Sequence, residues 1–136
     1  MADLVATAQT IINAINDRDY ATVLSNLDPG YEATWPHGTL DLMASGAHEQ
    51  AMLAAFPDLA FEILRTVSEG STVVLEVLAC GTHDGVLNLP GEPPIEATGS
   101  SLRLPMTLVL AFDSGKLRTE RLYFDQLTML RQVGGR

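Results

Sequence analysis

Apolar and polar positions alternate along this chain with two different periods. Near the start, Leu4, Val5, Ala8, Ile11, Ile12 and Ile15 recur at helical spacing. They predict a helix from about Asp3 to Asn16, with Asp3 as N-cap. Asp17-Arg18-Asp19 interrupts it, and a short helix from Asp19 to Leu27 follows. Asp28-Pro29-Gly30 is a turn signal. Tyr31 to Trp35 reads as a short strand, ended by Pro36-His37-Gly38. The next helix runs from about Ser45 to Ala55. Ser45 is its candidate cap, and Glu49 sits near the first turn, where its charge suits the helix dipole. Phe56-Pro57-Asp58 stops it.

The second half changes to strands. Leu59 to Ser68 and Thr72 to His83 flank a turn at Glu69-Gly70. A loop rich in Pro and Gly, Asn88 to Pro94, leads to a long strand from Ser100 to Phe112. Asp113-Ser114-Gly115 is a hairpin turn, with Gly115 able to take positive φ. Lys116 to Phe124 is the last strand, Gln126 to Gln132 a terminal helix, and residues 134–136 are expected to fray. Helices followed by an antiparallel meander imply an α+β domain spanning 1–136. The helices pack on one face of a curved sheet and so enclose a pocket. No repeat or linker interrupts this single unit.

Charge and cysteine content narrow the partners. The 17 acidic against 8 basic residues give a net charge of −9, which repels phosphate backbones and anionic lipid headgroups. Nucleic-acid and membrane-surface binding are therefore not expected. No apolar run approaches the roughly 20 residues that span a bilayer. The first residues lack the basic start and cleavage site of a signal peptide. Cys80 is the one cysteine and lacks a partner for an intrachain disulfide. With three histidines it makes too sparse a set for most zinc frameworks. The expectation is a cytoplasmic protein with no metal.

Candidate chemistry lies on the last strand. Side chains alternate along a strand, so Arg121, Tyr123 and Asp125 share one face and Glu120, Leu122 and Phe124 the other. If the first set faces the concave side, a cation, a phenol and a carboxylate enter one cavity. Arg121 and Asp125 would be roughly 13 Å apart, with Tyr123 between them. A carboxylate at the mouth of an apolar cavity has its pKa raised by desolvation and suits general acid–base work. Asp125 also stands where an N-cap of the terminal helix would stand, and the spacing favours the cap. His83, in Gly81-Thr82-His83-Asp84-Gly85, either orients a carboxylate and shuttles a proton or bonds to a loop at a strand end. Trp35, Tyr31 and Met106 are candidate pocket-lining groups. Phe56 and Phe61 read as core, and His37 and His48 as surface residues. Cys80 reads as an inert small hydrophobe in a strand.

Five stretches together carry a resemblance: AFPDL at 55–59, GTHDG at 81–85, EATG at 96–99, SGKL at 114–117 and LYFDQLTMLRQVG at 122–134. In this order they resemble the SnoaL-like polyketide (ester) cyclase family, whose fold is the nuclear-transport-factor-2-like cone shared with ketosteroid isomerase and limonene epoxide hydrolase. The resemblance implies a cone-shaped sheet and a pocket for a small hydrophobic, carbonyl-rich molecule. It also implies a homodimer or homo-oligomer paired through the outer sheet face. The Asp of the closing YFDQL falls on Asp125. The family's cyclases use that carboxylate as acid and base in an intramolecular aldol condensation that needs no metal or organic cofactor. The resemblance thus favours Asp125 as a catalytic pocket residue and implies that His83 is a pocket residue as well. Many relatives carry Trp at the position of Arg121. Where the cyclases carry a His near the base, this chain has Tyr123, a possible donor to the developing oxyanion. A non-catalytic ligand-binding module, an isomerase, an epoxide hydrolase and a structural dimerisation domain are the alternatives that the fold allows.

Overall fold

The computed structural model describes residues 3–134. Each helix starts on an aspartate whose side chain accepts from the first-turn amides. Asp3 caps α1 (Leu4–Asn16) through Ala6 N at 3.1 Å. Asp19 caps α2 (Tyr20–Ser25) through Thr22 N at 3.2 Å. Asp41, not Ser45, caps α3 (Leu42–Ala55) through Ala44 N at 2.9 Å, so this helix begins three residues earlier than the sequence suggests. Asp125 caps α4 (Gln126–Gln132). Residues 135 and 136, part of the tail expected to fray, lie outside the described residues.

The strands are β1 (Leu27–Trp35), β2 (Gly38–Asp41), β3 (Ala60–Glu69), β4 (Thr72–Thr82), β5 (Ser101–Asp113) and β6 (Lys116–Tyr123). They form one curled, unclosed sheet in the order β2-β1-β6-β5-β4-β3. β1 and β6 pair in parallel, and the other neighbours are antiparallel. β2 escapes the sequence reading because Pro36-His37-Gly38 is the turn of a hairpin rather than the end of the sheet. β1 also begins earlier than expected. Asp28-Pro29-Gly30 does turn, with Gly30 N bonded to Asp28 Oδ1 at 2.7 Å, but as an excursion within the strand. The β5–β6 hairpin closes through Ser114 at φ 51° and Gly115 at φ 81°. Positive φ at both central residues matches the twist of the flanking strands.

A bulge near that hairpin sets the rest of β6. Phe112 lies opposite Leu117, but Ala111 lies opposite Thr119, which leaves Arg118 without a partner on β5. The extra residue inverts the facing of everything after it. Leu117 points inward, and so do Glu120, Leu122 and Phe124. The Arg118 side chain is held by the carbonyl of Gly30 and by Asp28, with its Nε 3.9 Å from the carboxylate. The Asp28-Pro29-Gly30 excursion and the bulge thus secure each other.

Two apolar clusters hold the helices on the concave face. One packs Ala8, Ile11 and Ile12 of α1 against Val73, Leu75, Val77, Leu108, Leu110 and Phe112. The other gathers Trp35, Ala55, Phe56, Leu102 and Leu104 with Met129, Leu130 and Val133. Phe61, Met106 and Leu122 touch both clusters. Gly85 closes the second cluster. A Cβ there would meet the Ala54 carbonyl oxygen at 1.9 Å, and the amides of Asp84 and Gly85 both donate to the Ala55 carbonyl at 3.1 Å. The GTHDG turn therefore satisfies an end carbonyl of α3. Among the described residues, no helix is long and apolar enough to cross a membrane.

Candidate functional site

Between the two clusters lies a cavity of about 450 Å³. Its walls are mainly apolar and come from α1, α2, α3 and the inner face of the sheet. Trp35, Tyr31 and Met106 are among its lining residues. Phe56 and Phe61, read from sequence as core, do both jobs. His48, read as a surface residue, is half-buried in the lining with its ring 4.1 Å from that of Trp35. His37 is exposed, as expected. Its ring lies tilted against that of Trp35, with centroids 4.6 Å apart, and bonds to Gln126.

Few polar groups reach the cavity, and the strand register explains the deepest of them. Ala33 of β1 lies opposite Glu120 of β6, so Tyr31, two residues earlier on the same face, is the diagonal neighbour of Glu120. Its hydroxyl donates to Glu120 Oε1 at 2.9 Å. Burial pushes the Glu120 carboxyl above the ordinary glutamate value of 4.5; the Tyr31 hydrogen bond acts against this, and the negative charge of Glu49 adds to it. The Tyr31 hydroxyl is pushed up as well, chiefly by burial and then by Glu120. From α3, Ser45, His48, Glu49 and Gln50 add to the polar wall. Burial raises Glu49, offset in part by the positive charge of Arg18. Burial and the nearby His37 lower His48, which favours its neutral form. A carboxyl of raised pKa beside a phenol in an apolar cavity can accept a proton and return it. Among the described residues, no group of three or more His, Cys, Asp or Glu is placed to hold a metal ion.

The stripe expected to face the cavity does not. Arg121 and Tyr123 point outward from the sheet, and Tyr123 is 57% exposed. The Arg118 bulge is the reason, since it gives the concave face to Glu120, Leu122 and Phe124. Asp125 follows β6 and serves α4. Its Oδ1 accepts from Leu127 N at 3.0 Å, and its Oδ2 accepts from the Thr128 hydroxyl at 2.9 Å. Those Thr128 bonds hold its carboxyl below the usual aspartate value. Its place is that of the cap favoured by spacing, outside the cavity lining. His83 is fully buried, but one layer behind the cavity. Its Nδ1 pairs with the Thr98 hydroxyl at 2.9 Å, its ring lies 5.5 Å from that of Phe56, and among the described residues its Nε2 has no hydrogen-bond partner.

Glu120, Tyr31 and Glu49 are thus the polar centre, and of these only Tyr31 was expected there. One sequence signal does point to Glu120. The apolar positions of β6 switch parity, from Leu117 to Leu122 and Phe124. A strand whose apolar face changes parity midway contains an extra residue.

The sequence matches the family described as SnoaL-like polyketide cyclase over residues 5–133. No curated protein matches it. Among solved structures it is similar to AclR of Streptomyces galilaeus, a proposed hydroxylase, with 22% identity and a TM-score of 0.84, covering 98% of this chain and 97% of that one. It is also similar to a proposed SnoaL-like polyketide cyclase of Jannaschia sp. CCS1, with 17% identity and a TM-score of 0.85, covering 98% and 92%. A third is IdmH of Streptomyces antibioticus, a proposed polyketide cyclase, with 22% identity and a TM-score of 0.82, covering 98% and 99%. These likenesses show the cone fold.

Proposed function

The chain belongs to the SnoaL-like polyketide cyclase family, and from that premise we propose an acid–base enzyme that closes a ring in a small, hydrophobic, carbonyl-rich molecule, with Glu120 as its catalytic carboxyl. The observation that carries this reading is the 2.9 Å hydrogen bond from Tyr31 to Glu120 inside a largely apolar cavity. The reaction is an intramolecular aldol addition. Ionised Glu120 takes a proton from a methylene between two carbonyls. The enolate carbon attacks another carbonyl of the same molecule and forms a C–C bond. The new alkoxide then takes the proton back from Glu120. Once Glu120 is protonated, the Tyr31 hydroxyl is free to turn toward the oxygen that gathers charge. These steps need only a proton acceptor and a donor, so the proposal includes no cofactor.

The proposal moves the chemical centre from Asp125 to Glu120 and leaves Asp125 a cap. Tyr31, Trp35 and Met106 keep the lining role, whereas Arg121, Tyr123 and His83 are given none in substrate binding. Two copies are proposed to pair through the outer sheet face, where Val67, Tyr123 and Leu64 are exposed. A reducing, cytoplasmic setting suits the lone cysteine.

The test is turnover of a panel of β-keto esters and polyphenolic precursors, followed by mass spectrometry. Glu120→Gln is expected to lower turnover roughly 10²–10⁴-fold, the usual reach of a positioned acid–base group. Asp125→Asn is expected to leave the turnover of the folded protein near wild type. A fully active Glu120→Gln, or a folded but inactive Asp125→Asn, would return the role to Asp125 or remove it from both.

A further inference from the structure

Among the described residues, the cavity lining contains two carboxyl groups, Glu49 and Glu120, and neither Lys nor Arg. The two carboxyls are not in the same state of satisfaction. Glu120 receives the hydroxyl of Tyr31. Glu49, on α3, is half-buried in the cavity wall, and among the described residues it accepts no hydrogen bond and has no cation within 4.0 Å. Its favourable charge neighbour is Arg18, but the guanidinium of Arg18 is committed elsewhere. It donates to the carbonyls of Ile15, Asn16, Pro57 and Leu59. His48, next to Glu49 in sequence, tends to the neutral form because it is buried and lies near His37. A buried carboxylate without a donor is costly unless something supplies one.

We infer that the cavity takes a hydrophobic ligand bearing a protonated amine, with Glu49 as the carboxylate that receives it. An anionic ligand would meet two carboxyl groups and no cation in surroundings of low dielectric. A neutral hydroxyl would satisfy the geometry of Glu49 but not its charge. An ammonium group does both. The net charge of −9 then gains a role beyond solubility, because it draws cations toward the protein. Glu120, already engaged by Tyr31, is left to the acid–base step. The inference rests on the cavity being the ligand site and adds the charge class of the ligand.

Three probes with one skeleton test it: 4-phenylbutylamine, 4-phenylbutanol and 4-phenylbutyrate. Their binding is measured by calorimetry and by the fluorescence of Trp35, the chain's one tryptophan, which lines the cavity. The amine is expected to bind at least ~10-fold more tightly than the alcohol, a difference of about 1.4 kcal/mol, and the butyrate more weakly than either. Glu49→Gln is expected to bring the amine to the level of the alcohol. Equal binding of amine and alcohol by the wild-type protein overturns the charge assignment and leaves the cavity as the ligand site. Tightest binding of the butyrate overturns it as well. Failure of all three to bind overturns both this inference and the cavity reading. A Glu49→Gln protein that keeps the full preference for the amine removes Glu49 from it. The wild-type series decides the charge class even where the variant does not fold.

Discussion

Two carboxylates held by threonines outside the cavity and two inside it are shifted in opposite senses. Thr82 holds Asp58, and Thr128 holds Asp125, below the ordinary aspartate value of 3.8. The stability that these bonds contribute is present above 3.8 and is lost as pH falls through the folded-state values. Glu120 and Glu49 are raised above 4.5. The folded state therefore holds their protons more tightly than the unfolded chain does. That contribution is complete below 4.5 and is lost as pH rises through the raised values. Glu120→Gln removes the loss, because an amide cannot ionise. In urea melts the variant is expected to gain stability over wild type at about pH 7.5 relative to its difference at about pH 4. An unchanged difference between the two pH values would contradict a raised Glu120. The same group makes turnover pH-dependent, since the base must be ionised. The acidic limb of the rate profile is expected to lie above 4.5.

At the level of elements, the helices join the sheet through a few polar anchors. Asn16, the last residue of α1, makes two bonds with the backbone of Phe61 on β3. Its Oδ1 accepts from Phe61 N at 2.8 Å, and its Nδ2 donates to Phe61 O at 2.9 Å. β3 is an edge strand, so Asn16 takes the place of a neighbouring strand at that point. Asn16→Ala is expected to cost roughly 1–2 kcal/mol, about one net hydrogen bond or two, as a shift in denaturant midpoint at unchanged slope. Elements of this kind were legible in the sequence to different degrees. The helical period of Leu4 to Ile15 and the long apolar strands predicted α1, β4 and β5 nearly to the residue, because local periodicity and packing agree there. β2 was missed because four residues with one half-buried leucine carry no period. The face of β6 was misread for a different reason. Strict alternation was applied across the Arg118 bulge, a feature fixed by a distant partner, Asp28-Pro29-Gly30, rather than by β6 alone. Glu49 was seen only as a charge near a helix start, because sequence does not tell which face of α3 looks into the cavity.

For the whole molecule, one sheet serves two surfaces. The concave side carries both apolar clusters and the cavity between them. On the outer side, Val67 lies opposite Val74, Val74 opposite Val109, and Val109 opposite Arg121. Cross-strand neighbours of this kind give an apolar band with charged residues beside it, the composition of a protein interface. With two copies paired there, light scattering after size exclusion is expected to give twice the mass of the chain. Val67→Arg is expected to halve it without loss of the folded circular dichroism signal. A wild-type protein of single-chain mass would remove the pairing. A lineage that lost the one codon for Arg118 in frame would keep Glu120 and Leu122 on the cavity side, because Glu120 would then stand two positions after Leu117 instead of three, but it would lose the tie from Arg118 to Gly30 and Asp28. The extra residue thus leaves the cavity's lining and the outer face as a strand without it would have them, and what it adds is a clamp between the last hairpin and the Asp28-Pro29-Gly30 excursion.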